Sequence, residues 1–404
     1  MKVIQINAVC GHGSTGRMCV ELLEALREAG HTGKIFYGVG DAPDDLGEYV
    51  RKFGGVSDYY LHNALSRLTD HAGWYSKGHT RRLIRALEEE RPDLIHLHNL
   101  HGYYLNYPML FAYLKEKNIP VVWTLHDCWA FTGHCTHFTR VGCRQWQKEC
   151  HTCLQLRRYP KCLTAGDVAG NFQRKQDCFT GVKRLTLVTP SQWLAEQVRD
   201  SFLKDYPRRV IPNGVDLARF CPEGEDVRCR YGMEGKKVVL AVANVWNEHK
   251  GLTDLLALAE KLDDRHQLVL LGLTREQIKR LPANVFGLPR TGNPEELAMV
   301  YRSADVLVNP SREDTYPTVN LEAQACGTPV VCYDLCGCPE TILPGMGSVV
   351  PAGDVDGLNE QAAHWTSGAR PPVPPLDGLD RRTTARRYLD LYEDCLRAGG
   401  EGAG

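Results

Sequence analysis

Short apolar runs alternate with segments of helical periodicity along most of the chain. Val3-Ile4-Gln5-Ile6 opens it as a strand, and a glycine loop follows. In MCVELLEALREAGH, Val20, Leu22, Leu23 and Leu26 fall on one broad helical face and Gly30 supplies a stop. Leu94–His98, Val121–Leu125 and Leu185–Thr189 read as buried strands, and Ser191 is placed to cap a helix over SQWLAEQVRDSF. A second series begins near Lys237, with strands in VVLAVAN, QLVLLG, DVLVNP and PVVCYD and helical segments between them. Continuous apolar strands that alternate with helices belong to parallel sheets covered on both faces, because each crossover lays a helix against the sheet. Two such series predict two Rossmann-like, doubly wound parallel-sheet α/β domains facing a cleft. The expected division is residues 1–207, with a Cys-rich insertion at about 128–163, and residues 208–404. The last helix, RRTTARRYLDLYEDCLRA, is expected to pack back on the first domain.

A length of 404 residues suits two domains with sizeable cores. A net charge of -1 argues against a nucleic-acid-coating protein, which needs a basic excess. The N-terminus lacks a signal-peptide apolar core, and no stretch is apolar enough to span a bilayer, so a cytoplasmic protein is expected. In that reducing setting the 16 cysteines are expected as thiols, metal ligands or packing groups rather than disulfides.

Open parallel sheets bind ligands beyond the carboxyl ends of their strands, which directs attention to the loops that follow each strand. GHGSTG, Gly11 to Gly16, is a G-x-G-x-x-G between a strand and a helix. Gly13 and Gly16 would let backbone approach a diphosphate at the helix start, or they serve a tight turn. The second strand, KIFYGVG, lacks the terminal acid of a dinucleotide site.

SREDTYPTVNLEAQACGTPVV, Ser311 to Val331, carries Asp314 and Glu322 between a buried strand and a helix. Asp314 can meet sugar hydroxyls, and Glu322 can accept both hydroxyls of a ribose. The N–H groups near Thr318 and Val319 suit a diphosphate. The small apolar neighbours of Glu322 disfavour an idle carboxylate there. In NVWNEHKGL, Lys250 precedes a glycine at a helix start and can neutralise a departing diphosphate.

His126 and Asp127 follow the strand VVWTL, where a histidine can bond a sugar hydroxyl or position reacting groups. His96 and His98 share a strand face and read as structural, with Asn99 and His101 nearer an acceptor. Cys135, Cys143, Cys150 and Cys153, the last two a C-x-x-C, could surround one structural zinc, with His137, His151 and Cys162 as alternative ligands, or stay as free thiols. The surrounding GHCTHFTRVGCRQWQKECHTC is expected to be too polar for a core of its own.

The stretch from RTGNPEELAMVYRSADVLVNPSREDTYPTVNLEAQACGTPVVCYD to GCPE, with GSTGR, HLHNLHGYYLN, TLHDCWAFTGHC and PNGVD, resembles the retaining glycosyltransferases of family four. The combination is similar to their bacterial exopolysaccharide, O-antigen and colanic-acid-type branch. That resemblance implies a GT-B architecture, an acceptor-side N-terminal domain and a nucleotide-sugar-binding C-terminal domain. It implies Glu322 on the nucleotide ribose, Lys250 on the diphosphate and His126 facing the donor sugar, with Asp314 where many members have Glu. An Arg that many members carry shortly before the Lys is missing from ANVWNEH, and Arg290 is the candidate replacement.

The expected activity is transfer of a hexosyl unit from a UDP- or GDP-sugar to a glycan acceptor, lipid-linked, in surface polysaccharide biosynthesis. Retention follows from the resemblance. No D-x-D signature stands in the expected loop, so no catalytic cofactor is expected beside the structural zinc. Arg81, Arg82 and Arg85 are candidates for peripheral contact with anionic lipid at the inner membrane face. A nucleotide-sugar epimerase is the alternative, and a nicotinamide-dependent oxidoreductase a more distant one.

Overall fold

A computed structural model describes residues 1–398. The chain forms two compact units. One comprises Met1–Pro212 together with the chain from Thr384 on, and the other Asn213–Thr383.

The first unit is built on β1 (Lys2–Asn7), β2 (Thr32–Tyr37), β3 (Val50–Lys52), β4 (Leu94–Leu97), β5 (Val121–Thr124), β6 (Leu185–Thr189) and β7 (Arg208–Val210). These make one seven-stranded sheet in the order β3-β2-β1-β4-β5-β6-β7, parallel throughout. Alternate residues of the central strands serve two cores. Ile4, Ile6, Ile95, Leu97, Val121, Trp123 and Leu187 face one layer, where Trp123, Phe111 and Phe179 meet at ring distances of 4.6–5.4 Å. Val3, Leu94, Val122 and Val188 face the other, against Leu22 and Leu26 and against Tyr388, Leu391 and Tyr392 of the last helix, Arg381–Arg397. Each such aliphatic chain removed from water contributes about 1.5–3 kcal/mol, so both faces hold the strands flat between helices.

The second unit repeats the plan with β8 (Lys237–Val242), β9 (His266–Leu273), β10 (Val285–Pro289), β11 (Val306–Asn309), β12 (Val330–Tyr333) and β13 (Gly347–Val350). Its sheet is six-stranded, in the order β10-β9-β8-β11-β12-β13, again all parallel. Val239, Ala241, Leu270, Val308 and Val331 pack on one side and Leu240, Leu271, Leu307 and Cys332 on the other. In each sheet the strand order reverses beside the first strand of the unit, between β1 and β4 and between β8 and β11.

The Cys-rich insertion packs into the first unit's core rather than forming one of its own. Phe131, Phe138 and Trp146 stack together at 4.6–6.4 Å and join the first unit's core. Buried Lys175 donates to the carbonyls of Trp129 (2.7 Å) and Thr132 (2.9 Å) and lies 3.8 Å from the Trp129 ring. These three aromatics tie the segment to that core. Among the described residues no helix is long and apolar enough to cross a membrane.

Candidate active site

Both strand-order reversals carry a cluster of polar side chains at the carboxyl ends of the strands, where helix-flanked loops leave backbone and side chains exposed to a ligand.

In the first unit, the β1 loop is closed by a bond from the Gly11 N–H to the Gly16 carbonyl at 3.0 Å. A Cβ at Gly16 would stand 3.1 Å from Gly11 N, tighter than an ordinary contact, and Gly13 has φ +65 at the start of the helix Gly13–Glu28. Asn7 ties the loop to its neighbour strand. Its amide donates to the Val9 carbonyl (2.9 Å) and Thr15 Oγ1 (3.3 Å), and its side-chain oxygen accepts from the Asn99 N–H at 3.3 Å. Gly38 follows β2 directly under the Tyr104 ring, so that no acid closes a dinucleotide site there.

His126, Asp127, His98 and His101 meet beyond β4 and β5. His98 Nδ1 is 3.2 Å from His126 Nε2, and its other nitrogen is 3.2 Å from Gln5 Oε1. Burial brings the His126 imidazole down to about 4, so it is neutral at pH 7 and available as a hydrogen-bonding group rather than a cation. Asp127 opposes this trend. Burial raises its carboxyl, but the charge and hydrogen bond of His101, at 2.8 Å, outweigh it and bring it down to about 2. His101 also contacts the Tyr159 hydroxyl at 2.9 Å. His96 uses both nitrogens in the core, on Tyr392 (2.7 Å) and Thr124 (2.8 Å).

In the second unit, Lys250 and Asp314 form an ion pair at 2.6 Å that bridges the loops after β8 and β11. Burial lowers the Lys250 ammonium, but Asp314 more than restores it, so the lysine stays charged. Two further contacts fasten the loops to each other, and a third shapes the first of them. Arg312 N–H donates to the His249 carbonyl at 2.8 Å, His249 pairs with Glu313, and Asn247 caps the turn by accepting from the N–H groups of His249 and Lys250. Gly251, φ +70, lets the turn press on the Pro310 carbonyl, which a Cβ would meet at 2.3 Å. Arg312 is held in turn by Asp254 at 2.7 Å, which also accepts from the Tyr333 hydroxyl at 3.0 Å.

Glu322 lies on the helix Thr318–Ala325, buried, with one oxygen accepting from the Tyr301 hydroxyl at 2.9 Å. Thr318 and Val319 form the first turn of that helix and keep part of their surface exposed. Arg290 follows β10 and donates to the Asn244 side chain, 2.7 Å away, at the loop that leads to Lys250. The His249–Glu313 pair, Tyr301 and the Asp254–Arg312–Tyr333 group were not visible as site residues in the sequence. Their one signal was adjacency, since His249 precedes Lys250 and Glu313 precedes Asp314.

The four cysteines are only partly gathered. The Cys135 and Cys153 thiols are hydrogen-bonded to each other; that bond and burial push Cys135 up, while for Cys153 the same bond outweighs burial and brings it down to about 6. Cys150 Sγ accepts the Gly133 N–H at 3.3 Å and Cys153 Sγ the Gln155 N–H at 3.4 Å. Among the described residues, no three His, Cys, Asp or Glu side chains are gathered so as to hold a metal ion.

Comparison with known proteins gives the family and the fold type. Residues 15–219 match Glycosyltransferase Family 4, and residues 236–367 match Glycosyl transferases group 1. The putative colanic acid biosynthesis glycosyl transferase WcaC of Escherichia coli K12 is 26% identical over 349 residues, 82% of each chain. Sucrose-phosphate synthase of Thermosynechococcus elongatus shares the fold with a TM-score of 0.64 at 17% identity, covering 99% of this chain and 97% of that one. HepE of Anabaena, solved in complex with UDP-glucose, has a TM-score of 0.63 at 15% identity, covering 98% of this chain and 100% of that one. The fold is thus the GT-B type, and the chain, matched over more than half its length, belongs to glycosyltransferase family 4.

Proposed function

We propose that this glycosyltransferase moves a hexosyl unit from a UDP- or GDP-sugar, with retention at the anomeric carbon, onto a lipid-linked glycan acceptor during assembly of a surface polysaccharide. The observation that carries the reading is the Lys250–Asp314 pair spanning the loops after β8 and β11, with Glu322 on the helix that follows. A charged lysine held by a neighbouring carboxylate is positioned before reaction, so it can meet the negative charge that grows on a leaving diphosphate without reorganisation. Glu322 would take the ribose hydroxyls. The N–H groups at Thr318 and Val319, and Arg290, would take phosphate oxygens. Asp314, which already accepts from Lys250 and the Tyr316 N–H, would also accept from a hydroxyl of the donor sugar.

In the first unit, neutral His126 would hydrogen-bond the transferring sugar, and the Gly13–Gly16 loop would approach the donor. Asn99 and His101 would hold the acceptor. HepE, solved with UDP-glucose, supports a nucleotide-sugar donor, and the kinship with WcaC supports a polysaccharide acceptor.

A structural zinc on Cys135, Cys143, Cys150 and Cys153 is a separate proposal, supported by the Cys135–Cys153 contact and the two N–H to sulfur bonds. The four sulfurs as they stand do not form a ligand set and would have to draw together. No step of the transfer passes through them.

Labelled UDP- and GDP-sugars offered with and without a polyprenyl-diphosphate-linked sugar test the function. A glycosylated lipid product whose new linkage keeps the donor's anomeric configuration is expected. An isomerised sugar nucleotide formed without acceptor would instead establish an epimerase.

A further inference from the structure

The helix Val56–Thr69 is inverted relative to an ordinary surface helix. Val56, Tyr60, Leu61 and Leu68 stand on one side with 68, 66, 59 and 57% of their surface exposed. The side turned inward carries His62 and Ser66, 1 and 2% exposed. A helix that buries its polar side and offers its apolar side to water loses hydrophobic stabilisation unless something covers it.

The apolar side continues onto the end of the Cys-rich segment. Leu163 N–H donates to the Arg67 carbonyl at 2.7 Å, and Thr164 Oγ1 to the Leu68 carbonyl at 3.1 Å. Leu163 and Tyr159 are themselves 46 and 44% exposed. Tyr159 packs on buried Tyr103 at 5.9 Å, and Tyr103 on Tyr59 of the helix at 6.0 Å, so the two segments are packed side by side.

Charge says what covers it. Arg67 and Lys161 are exposed at this surface, both near Tyr103, and Arg157 and Arg158 lie just before Tyr159. The stretch from Thr152 to Gly166 holds no acid. The carboxylates at the helix are already committed: Asp58 is paired with His79 at 3.0 Å, and buried Asp70 with His134. An exposed apolar stripe with aromatic side chains and a cationic border fits the interface of an anionic bilayer, where tyrosine rings and arginine stems span the headgroup level. A symmetric contact with a second copy would instead set these cations against one another. Arg81, Arg82 and Arg85 are exposed on the helix Lys77–Glu90, but no large apolar side chain is exposed on that helix.

We propose that this face docks the protein on an anionic lipid surface. Through the Tyr159 hydroxyl, 2.9 Å from His101, it borders the side where the lipid-linked acceptor is read, and that last link rests on the proposed function.

The test is co-sedimentation of the full chain with phosphatidylcholine vesicles, with and without phosphatidylglycerol. Binding to the mixed vesicles, weakened by salt, is expected. The triple variant Tyr60→Ser, Leu61→Ser, Leu68→Ser should bind about 10-fold or more weakly while melting no lower than wild type. The pair Arg67→Glu, Lys161→Glu should lose most of the salt dependence. Wild type that ignores the mixed vesicles, a triple variant that sediments as wild type does, or a concentration-dependent dimer that the triple variant abolishes would each overturn the proposal. Transfer to a water-soluble acceptor should be unchanged in the triple variant. If no transfer occurs in any variant while vesicle binding follows the pattern above, the functional reading fails and the docking face stands.

Discussion

Replacing Glu322 with alanine is expected to weaken nucleotide binding and the fold by separable amounts. The side chain is 7% exposed and its Oε2 accepts the hydroxyl of Tyr301, itself fully buried, at 2.9 Å. The substitution removes that bond, and losing a buried hydrogen bond to a carboxylate costs about 1–3 kcal/mol. For a unit the size of Asn213–Thr383 each kcal/mol lowers the melting temperature by about 2–4 °C. If Glu322 also holds the ribose, its loss costs about 1.5–3 kcal/mol of binding, or roughly 10- to 150-fold in affinity for UDP or GDP. Tyr301→Phe separates the two effects, because it removes the same internal bond and leaves the carboxylate. Calorimetric titration with UDP and GDP, beside thermal melts, should show Glu322→Ala losing both affinity and stability and Tyr301→Phe losing chiefly stability. Glu322→Ala that melts early yet binds every nucleotide as wild type does would reduce Glu322 to a structural group.

Lys250→Ala should lower turnover at saturating donor more than it lowers donor affinity, since charge grows on the diphosphate as the sugar departs; equal turnover in steady-state assays would remove Lys250 from that role. Stability should fall in mild acid. His62 and His126 are brought down to about 4 by burial, and His96 and His98 are pushed well below their ordinary range. The unfolded chain therefore takes up protons near pH 6.5 that the folded chain refuses, so stability present above that pH is lost as pH falls toward 4, by about 1.4 kcal/mol per pH unit for each histidine. A urea midpoint that is the same at pH 7 and pH 5 would contradict these buried neutral rings. Elemental analysis of protein purified without added metal should find about one zinc per chain if the four thiols close on a metal. Protein free of zinc and iron, with Cys135, Cys143, Cys150 and Cys153 all titrating as thiols, would leave the Cys135–Cys153 contact as a hydrogen bond only.

The pattern of apolar residues was sufficient for the inner strands of both sheets. β1, β4, β5 and β6, and β8, β9, β11 and β12, lie between helices on both faces, so nearly every residue in them must be apolar, and such runs stand out in a chain. The strands that no run announced are β3, β7, β10 and β13, and these are the four sheet edges. An edge strand pairs on one side only and is part-solvated, which frees VRK, RRV and GSVV to be polar or small and admits Gly287 and Pro289 to β10. The strand-end loops were legible for the same reason as the inner strands, because a ligand-binding loop begins where a buried strand stops. Partnerships were not. Lys250 meets Asp314, and His249 meets Glu313, across 64 residues, only because the order β8-β11 sets two loops side by side. The inverted helix Val56–Thr69 shows the same limit. No sequence pattern marked this helix, and the surrounding packing alone decides that His62 and Ser66 face in and Tyr60, Leu61 and Leu68 face water.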